Sequence, residues 1–434
     1  MGDKWSSKKA FVLASIGAAV GLGNIWRFPY IASEHGGLWF LLPYLVCLAI
    51  VGIPLFVLEA GQGFLNRKSF FKSVEGSTNL KFIKKQLRRA IGLFPILVST
   101  VILAYYSALC AWTLWFAIEF VLGNEPTFAL LQQSYTPLVA FAVVFACALY
   151  VSMRGISNGI EIASGYLVPL LFVFLLLLFA YSLTLPDAIL GLADRLLSEP
   201  QKVLDARTWY YALSQVLFSL SVGYGIMYTY GMHLKSGRVV FSSGVQVAGA
   251  DTAAAVVSLF TISIMAAAVS SSAGGFALSF EALPAFFAAG GLVGSIVGTA
   301  FFLLLFCAAF TSVLSMLEHT SISVSFAGKR AKWAVLAGVF MLGILSVLSY
   351  SPLKVEAFGK PVLDFLDFTF GTFLAPFSAL AIVFCCAYLL PHRKVARAMG
   401  VPKRYWGLFE VAFQKGIPAA LLLLIFFSQL FGLY

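Results

Sequence analysis

Long apolar runs return along this 434-residue chain at nearly regular intervals, and that pattern restricts the fold more than any motif. Eleven runs fall at about 10–33, 38–63, 87–121, 136–153, 160–182, 209–234, 243–270, 293–327, 331–349, 361–390 and 410–433. About 20 apolar residues suffice to cross a bilayer as a helix. Lipid offers the backbone no hydrogen-bond partner, so a spanning segment must satisfy its own amides and carbonyls. The runs, numbered here as segments 1–11, are therefore predicted to be membrane helices of an all-α polytopic protein. Composition agrees, with 61% hydrophobic and 11% charged residues. A soluble domain holds roughly 45–50% and 25%. A soluble enzyme, a disordered chain and a fibrous chain are all excluded by these values.

The net charge is +11, from 29 Lys and Arg against 18 Asp and Glu. In a soluble protein this would point to nucleic acid; here it reports topology. With a cytoplasmic N-terminus, the inner regions are 1–9, 64–89, 154–159, 235–242, 328–332 and 391–409 with Lys415, and they hold 23 of the 29 basic residues. The outer loops hold Arg195, Lys202, Arg207, Lys354 and Lys360, and Arg27 lies in segment 1. Cytoplasmic loops collect Lys and Arg. The split therefore predicts a cytoplasmic N-terminus in the cell (plasma or inner) membrane and, after eleven spans, an extracytoplasmic C-terminus. Lys68, Lys72, Lys81, Lys84, Lys85, Arg88 and Arg89 read as a basic interfacial stretch. The outer loop 183–208, with Asp187, Asp194, Glu199 and Asp205, is long enough for a short surface helix. No cleavable leader is expected, because the first apolar run leads into polar, Gly-rich sequence. The six cysteines lie within apolar runs, where no disulfide is expected.

Two segments are abnormal. Segment 1 contains Gly17-Ala18-Ala19-Val20-Gly21-Leu22-Gly23-Asn24, and segment 6 contains Phe218-Ser219-Leu220-Ser221-Val222-Gly223-Tyr224-Gly225. Glycine at mid-helix weakens the helix. Interrupted spans at corresponding places in two halves point to a transporter binding site near the membrane midplane. The expected architecture is one transporter domain over 1–434. It holds a five-helix repeat at 10–182, a second, inverted repeat at 209–390, and an additional helix at 410–433. Close helix packing is the alternative role for such glycines.

The residues here become specific. Trp5-Ser6-Ser7 followed by Gly17 through Gly23-Asn24-Ile25-Trp26-Arg27-Phe28-Pro29-Tyr30 closely resembles the first helix of the neurotransmitter:sodium symporters. Gly36-Gly37 with Pro43-Tyr44, and Gly52-Ile53-Pro54 with Glu59, extend the resemblance, which continues through segments 3, 6, 7, 8 and 10. It covers nearly the whole chain and points to the prokaryotic amino-acid branch. It implies the leucine-transporter fold and sodium-coupled uptake of an amino acid or amine.

The resemblance implies a substrate pocket at Leu22, Gly23, Ile102, Tyr106, Phe218, Ser219, Ser221, Tyr224, Ser312 and Met316. It implies a first sodium site at Ala19, Asn24, Ser219 and Asp251, completed by the substrate carboxylate. A second uses Gly17, Val20, Ala308, Thr311 and Ser312. Sodium is a hard cation that wants such oxygen ligands. Helix termini freed at the breaks carry partial charges suited to a zwitterion. Gly21 stands where monoamine carriers place an aspartate, so the ligand is expected to bring its own carboxylate. A neutral, hydrophobic or aromatic L-amino acid is predicted. Many relatives carry Asn at position 251 and Ser or an acid one turn later; here the pair is Asp251 and Ala255. An intramembrane carboxylate is costly and functional by default. It is expected to replace the chloride that animal members use.

Arg27 and Asp367 resemble the family's outer charge pair, with Tyr106 and Phe218 as the lid beneath. Glu59 matches an acid that braces the breaks, and Gly159 with Pro169 matches a Gly-x9-Pro pattern that allows segment 5 to unwind. On the cytoplasmic side the family's arginine falls at Gly2, its acid at Phe326 and its tyrosine at His233, so that gate is left unassigned. Blander roles stand beside these. Tyr106, or Tyr105 beside it, would serve as an interfacial anchor. Thr311 and Ser312 would bond their own helix. Asp251 would pair structurally with Asn24 or Ser219. Arg27 would snorkel, and Pro169 would only kink its helix. Glu318 would be either a structural hydrogen bond or a proton carrier. The expected partners are an amino acid, two sodium ions and the bilayer, with neither chloride nor nucleic acid; oligomeric state is not legible. A proton-coupled carrier, or a transport-inactive sensor or channel on the same fold, is the alternative. An enzyme is not expected, because no catalytic cluster converges.

Overall fold

The computed structural model describes residues 3–77, 84–185, 192–197, 199–268, 278–390, 392–417 and 420–421. Among them the chain is almost wholly helical, with one short antiparallel ladder of Glu356–Ala357 against Lys360–Pro361. Among the described residues, eight helices are long and apolar enough to cross a membrane: Gly37–Asn66, Lys85–Val121, Thr136–Met153, Ile156–Ser182, Gly237–Ala268, Gly291–Ala327, Lys329–Leu348 and Val362–Leu389. These are segments 2–5 and 7–10. Segment 1 makes a ninth as a bent pair, Lys8–Ala19 and Gly23–Glu34, with an angle of 53° between its halves. Segment 6 is also two helices, Ala206–Ser219 and Ile226–Met232. Most of segment 11 lies outside the described residues, as do Lys81, Asp187 and the C-terminus; only its start, from Trp406, is seen.

The break in segment 6 has a clear local cause. Ser221, Gly223 and Gly225 take φ of 51°, 88° and 85°. The left-handed region interrupts a right-handed helix, and it favours glycine because no Cβ clashes there. At Gly223 space is also required: a Cβ would lie 2.5 Å from Ala379 Cβ. The peptide freed by the break is satisfied from both sides. Gly223 N–H donates to Glu59 Oε1 at 2.6 Å, and Gly223 C=O accepts from Ser378 Oγ at 2.7 Å. Buried backbone groups need such partners.

Segment 5 begins at Ile156, four residues before the apolar run. Its first turn, Ile156–Ile160, is a π-helical turn that holds the polar Ser157 and Asn158 with Gly159. Hydropathy alone reads that turn as loop. Segment 3 buries 72% of its apolar window, whereas segments 5 and 9 each bury 28%. Segment 3 is therefore interior, and segments 5 and 9 turn most of their surface outward. The basic stretch contains a short helix, Phe70–Glu75, whose Glu75 pairs with Arg89 at 2.5 Å. The loop 183–208 forms the short helix Leu192–Leu197 and the turn Pro200–Leu204, tied to segments 1 and 2 by Lys202 Nζ to Glu34 O (2.7 Å) and Trp39 Nε1 to Leu197 O (3.3 Å).

Candidate substrate and ion site

Segment 1 stops at Ala19, and its last carbonyls lose their helical partners. The chain crosses Val20–Leu22 before the helix restarts at Gly23. Leu22 N–H donates to Tyr106 Oη at 3.1 Å, and Gly23 O accepts from Gln215 Nε2 at 3.0 Å. Ala18 O accepts from Ser221 Oγ at 2.6 Å and Ser312 Oγ at 3.4 Å. These bonds bring segments 3, 6 and 8 onto the break.

Around it lies a cavity with about 490 Å³ of open space. It is lined by Gly23, Ile102, Tyr106, Phe218, Ser219, Ser221, Tyr224, Ser312 and Met316, and also by Ala18, Ala19, Gly21, Ser99 and Ile226. Leu22 does not line it; this residue borders a second cavity above. Its N–H is held by Tyr106. Ser99 was legible in principle, since it lies three residues before Ile102 on one helical face. Ile226 gives no such signal, because its place depends on where the second half of segment 6 restarts.

At one end of the cavity the residues expected for the first ion site converge. Asn24 Nδ2 donates to Asp251 Oδ1 at 2.8 Å and to Ser219 Oγ at 2.9 Å. Ser219 Oγ in turn lies 2.8 and 2.7 Å from the two carboxylate oxygens. Tyr44 Oη donates to Asp251 Oδ2 at 3.1 Å. Asn24, Asp251 and Tyr44 are fully buried. The Pro43-Tyr44 motif was visible in the sequence, but no role for its hydroxyl was.

Of the residues expected for the second ion site, Gly17 of segment 1 meets Thr311 of segment 8. A Cβ on Gly17 would lie 3.1 Å from Thr311 Cβ, so segments 1 and 8 touch there. Thr311 Oγ1 bonds Cys307 O at 3.0 Å and Ala308 O at 3.2 Å; Ser312 Oγ bonds Ala308 O at 3.2 Å. The bonds to their own helix are thus made. Ser312 Oγ also reaches across to segment 1, and back-bonding alone would not require that.

Above the pocket, Phe218 covers Gly23, where a Cβ would lie 2.7 Å from the ring. Over this floor lies a vestibule of about 1010 Å³ that includes Trp26, Arg27, Tyr105, Asp367 and Thr372. Arg27 and Asp367, the expected outer charge pair, both border this vestibule, and no nitrogen–oxygen approach within 4.0 Å joins them in this state. Arg27 instead donates to Gln215 Oε1 at 2.6 Å and Ser214 Oγ at 3.1 Å, and its guanidinium lies 5.2 Å from the Phe218 ring. Gln215 and Ser214, about one turn before Phe218 on segment 6, offer neutral acceptors closer than the carboxylate. Asp367 lies beside the Tyr105 hydroxyl. Neither Gln215 nor Ser214 was marked by the sequence.

On the face that carries the N-terminus, Trp5 is buried and donates from Nε1 to Tyr230 O at 3.0 Å. Phe326, at the family's acidic position, stacks on Phe71 with centroids 4.1 Å apart. Glu318 is buried and accepts from Ser152 Oγ at 2.7 Å.

Two broken helices meeting inside a bundle of apolar spans, with a cavity at their breaks and a buried Asn24–Ser219–Asp251 junction beside it, define a secondary transporter. The chain belongs to the sodium:neurotransmitter symporter family, whose model matches residues 2–127 and 128–430. It is therefore a multi-pass membrane protein of a family of sodium-dependent transporters, not of enzymes. An uncharacterised sodium-dependent transporter of Methanocaldococcus jannaschii is 29% identical, over 89% of this chain and 82% of its own length. The sodium-dependent transporter YhdH of Bacillus subtilis, also uncharacterised, is 30% identical over 87% and 86%. The sodium-dependent neutral amino acid transporter B(0)AT3 of Mus musculus is 30% identical over 51% of this chain and 41% of its own length. Among solved structures, MhsT in complex with L-phenylalanine superposes with a TM-score of 0.84 at 30% identity, covering 98% of this chain and 99% of that one.

Proposed function

We propose that this protein imports a neutral, hydrophobic or aromatic L-amino acid by sodium-coupled symport, through alternating access and without chloride. The observation that carries this reading is the junction of Asn24, Ser219 and Asp251 at the end of an otherwise largely apolar cavity. A sodium ion there, with Ala19 O as a further ligand, would share the amino acid's carboxylate and so link the two cargoes. Leu22, Gly23 and Tyr106 would hold that carboxylate through N–H and O–H donors. The carbonyls at both helix breaks would take the ammonium group. Ile102, Phe218, Tyr224 and Met316 would surround the side chain, with Ser221 and Ser312 at the break of segment 1. Neutral amino acids are what B(0)AT3 is named for, and L-phenylalanine is bound in MhsT.

Gly17, Val20, Ala308, Thr311 and Ser312 would hold a second sodium ion. Asp251 supplies the negative charge that makes chloride dispensable. Arg27 and Asp367, apart here across the vestibule, would draw together when the outer path closes. Glu59 supports the broken helix 6 in both states, and Gly159 with Pro169 lets segment 5 yield. The single domain 1–434 would comprise inverted repeats 10–182 and 209–390 with helix 410–433 as an eleventh span. The N-terminus would face the cytoplasm and the C-terminus the outside of the cell membrane.

Purified protein in liposomes, supplied with labelled neutral amino acids in the external medium, tests this reading. Uptake is expected only with an inward sodium gradient, and leucine, phenylalanine or tryptophan should compete better than arginine or glutamate. Uptake indifferent to sodium but driven by a proton gradient would overturn it. Retained binding with no flux would place the protein among sensors.

A further inference from the structure

The gate on the N-terminal face has no basic–acidic pair at the family's positions, because Gly2 and Phe326 occupy them. A different set of contacts stands in that region. The Asp3 carboxylate accepts from Ile156 N–H, from Ser157 N–H at 3.3 Å and from Ser157 Oγ at 2.7 Å. These amides are the unpaired donors of the first turn of segment 5, where a carboxylate also meets the positive end of the helix. Gly155 shapes the seat. Its φ is 80°, and a Cβ there would lie 2.5 Å from Asp3 Oδ2. Three residues on, Ser6 N–H donates to Glu161 Oε2 at 2.9 Å, and the Ser6 hydroxyl bonds the other Glu161 oxygen. The arm thus grips both ends of the π-helical turn Ile156–Ile160, which contains Gly159.

The same arm is tied to the end of segment 6. Trp5 bonds Tyr230 O through Nε1 and His233 O through N–H at 3.2 Å. His233 Nδ1 lies 2.7 Å from Asp3 O, and Lys235 Nζ donates to Ser6 O at 2.8 Å. Farther along segment 5, Val168 abuts Gly17: a Cβ there would lie 2.9 Å from Val168 Cγ2. Segment 5 therefore connects the arm to Gly17, a residue of the proposed second sodium site.

We infer that the N-terminal arm is a latch on segment 5, with Asp3 as its positioning residue. While Asp3 and Ser6 are seated, the turn Ile156–Ile160 stays wound and the path toward Gly17 stays shut. When the second half of segment 6 moves, Trp5 is drawn with it, the arm lifts, and the Gly159 turn is free to unwind. The polarity is opposite to the family's pair at this gate: the arm brings the acid, and a helix start brings the donors. This rests on the sodium-symport reading above.

Amide hydrogen exchange on the full-length protein in detergent tests it, comparing wild type, Asp3→Ala and Asp3→Asn in sodium chloride with L-phenylalanine. Asp3→Ala should exchange residues 156–160 at least about tenfold faster, as expected when charge-assisted bonds to a helix start are lost. Asp3→Asn, which keeps one acceptor, should fall between. Helix Lys329–Leu348, away from the arm, should be unchanged in both. Exchange at 156–160 equal to wild type, or an equal rise in Lys329–Leu348, would overturn the latch. Failure of the symport reading has a separate signature: exchange in the wild type would not respond when potassium replaces sodium.

Discussion

Ser219 Oγ lies within 2.8 Å of both carboxylate oxygens of Asp251, so the end of the first half of segment 6 is fastened directly to segment 7. Asn24 bonds both of them. A buried carboxyl group is thereby built into the point where the two broken helices meet. Burying its charged form is costly unless that form is hydrogen-bonded and balanced. Three side chains supply the hydrogen bonds, and the proposed sodium ion supplies the balance.

Replacing Asp251 by Asn is therefore expected to raise the half-saturating sodium concentration at least about tenfold, since a hydrogen-bonded buried charge partner is lost. Wild-type uptake should be unchanged when gluconate replaces chloride. Sodium-dependence curves in both anions check this; collapse of wild-type uptake in gluconate would remove the role given to Asp251.

The two cargo sites should separate by mutation. Thr311 does not line the cavity, whereas Tyr106 does. Thr311→Ala should weaken sodium dependence with little change in amino-acid affinity at saturating sodium. Tyr106→Phe should lower amino-acid affinity roughly 10–100-fold, the worth of a hydrogen bond to a charged group. Ligand binding measured at several sodium concentrations checks both.

Gly223→Ala is expected to cost about 1–3 kcal/mol through backbone strain and overpacking. Its φ is 88° and the added Cβ meets Ala379 at 2.5 Å. The melting temperature of the detergent-solubilised protein should fall, and Gly249→Ala, mid-helix with open space around it, should not lower it. Equal melting temperatures for the two variants would contradict the account of the segment 6 break.

The break itself was readable because glycine clusters interrupt apolar runs, and lysines and arginines mark where runs end. Ten of the segments are met within a few residues of their expected bounds. The start of segment 5 was placed four residues late because Ser157 and Asn158 look like loop, while a π-helical turn accommodates them. The partners of Arg27 were not readable, since the choice among Gln215, Ser214 and Asp367 depends on how segments 6 and 10 stand relative to segment 1. Asp3 and Ile156, like Gly223 and Ser378, meet across more than 150 positions. No local period encodes such contacts. Tyr44 lay in a visible motif, yet its bond to Asp251 required the fold.

The latch has a defined pH response. Partial burial alone raises the Asp3 carboxyl, but bonds from Ser157 and Ile156, with nearby His233, outweigh it and hold it below its ordinary value of 3.8. A depressed folded value means the contribution is fully present above the unfolded value and is lost as pH falls through the folded one. After correction for intrinsic rates, protection of Ile156 and Ser157 should be flat from about pH 8 to pH 5. It should weaken only in stronger acid. Asp3→Asn should lose that acid response, and a wild-type transition near neutral pH would contradict the assignment.

The central claim is that sodium and the amino acid bind as linked cargoes through one carboxylate-bearing junction. Equilibrium binding of labelled phenylalanine across sodium concentrations, paired with sodium binding across phenylalanine concentrations, tests it most directly. Linkage requires the two effects to be the same factor. The account predicts equal, reciprocal enhancement that is reduced in Asp251→Asn; independent binding of the two, in the wild type, would contradict it.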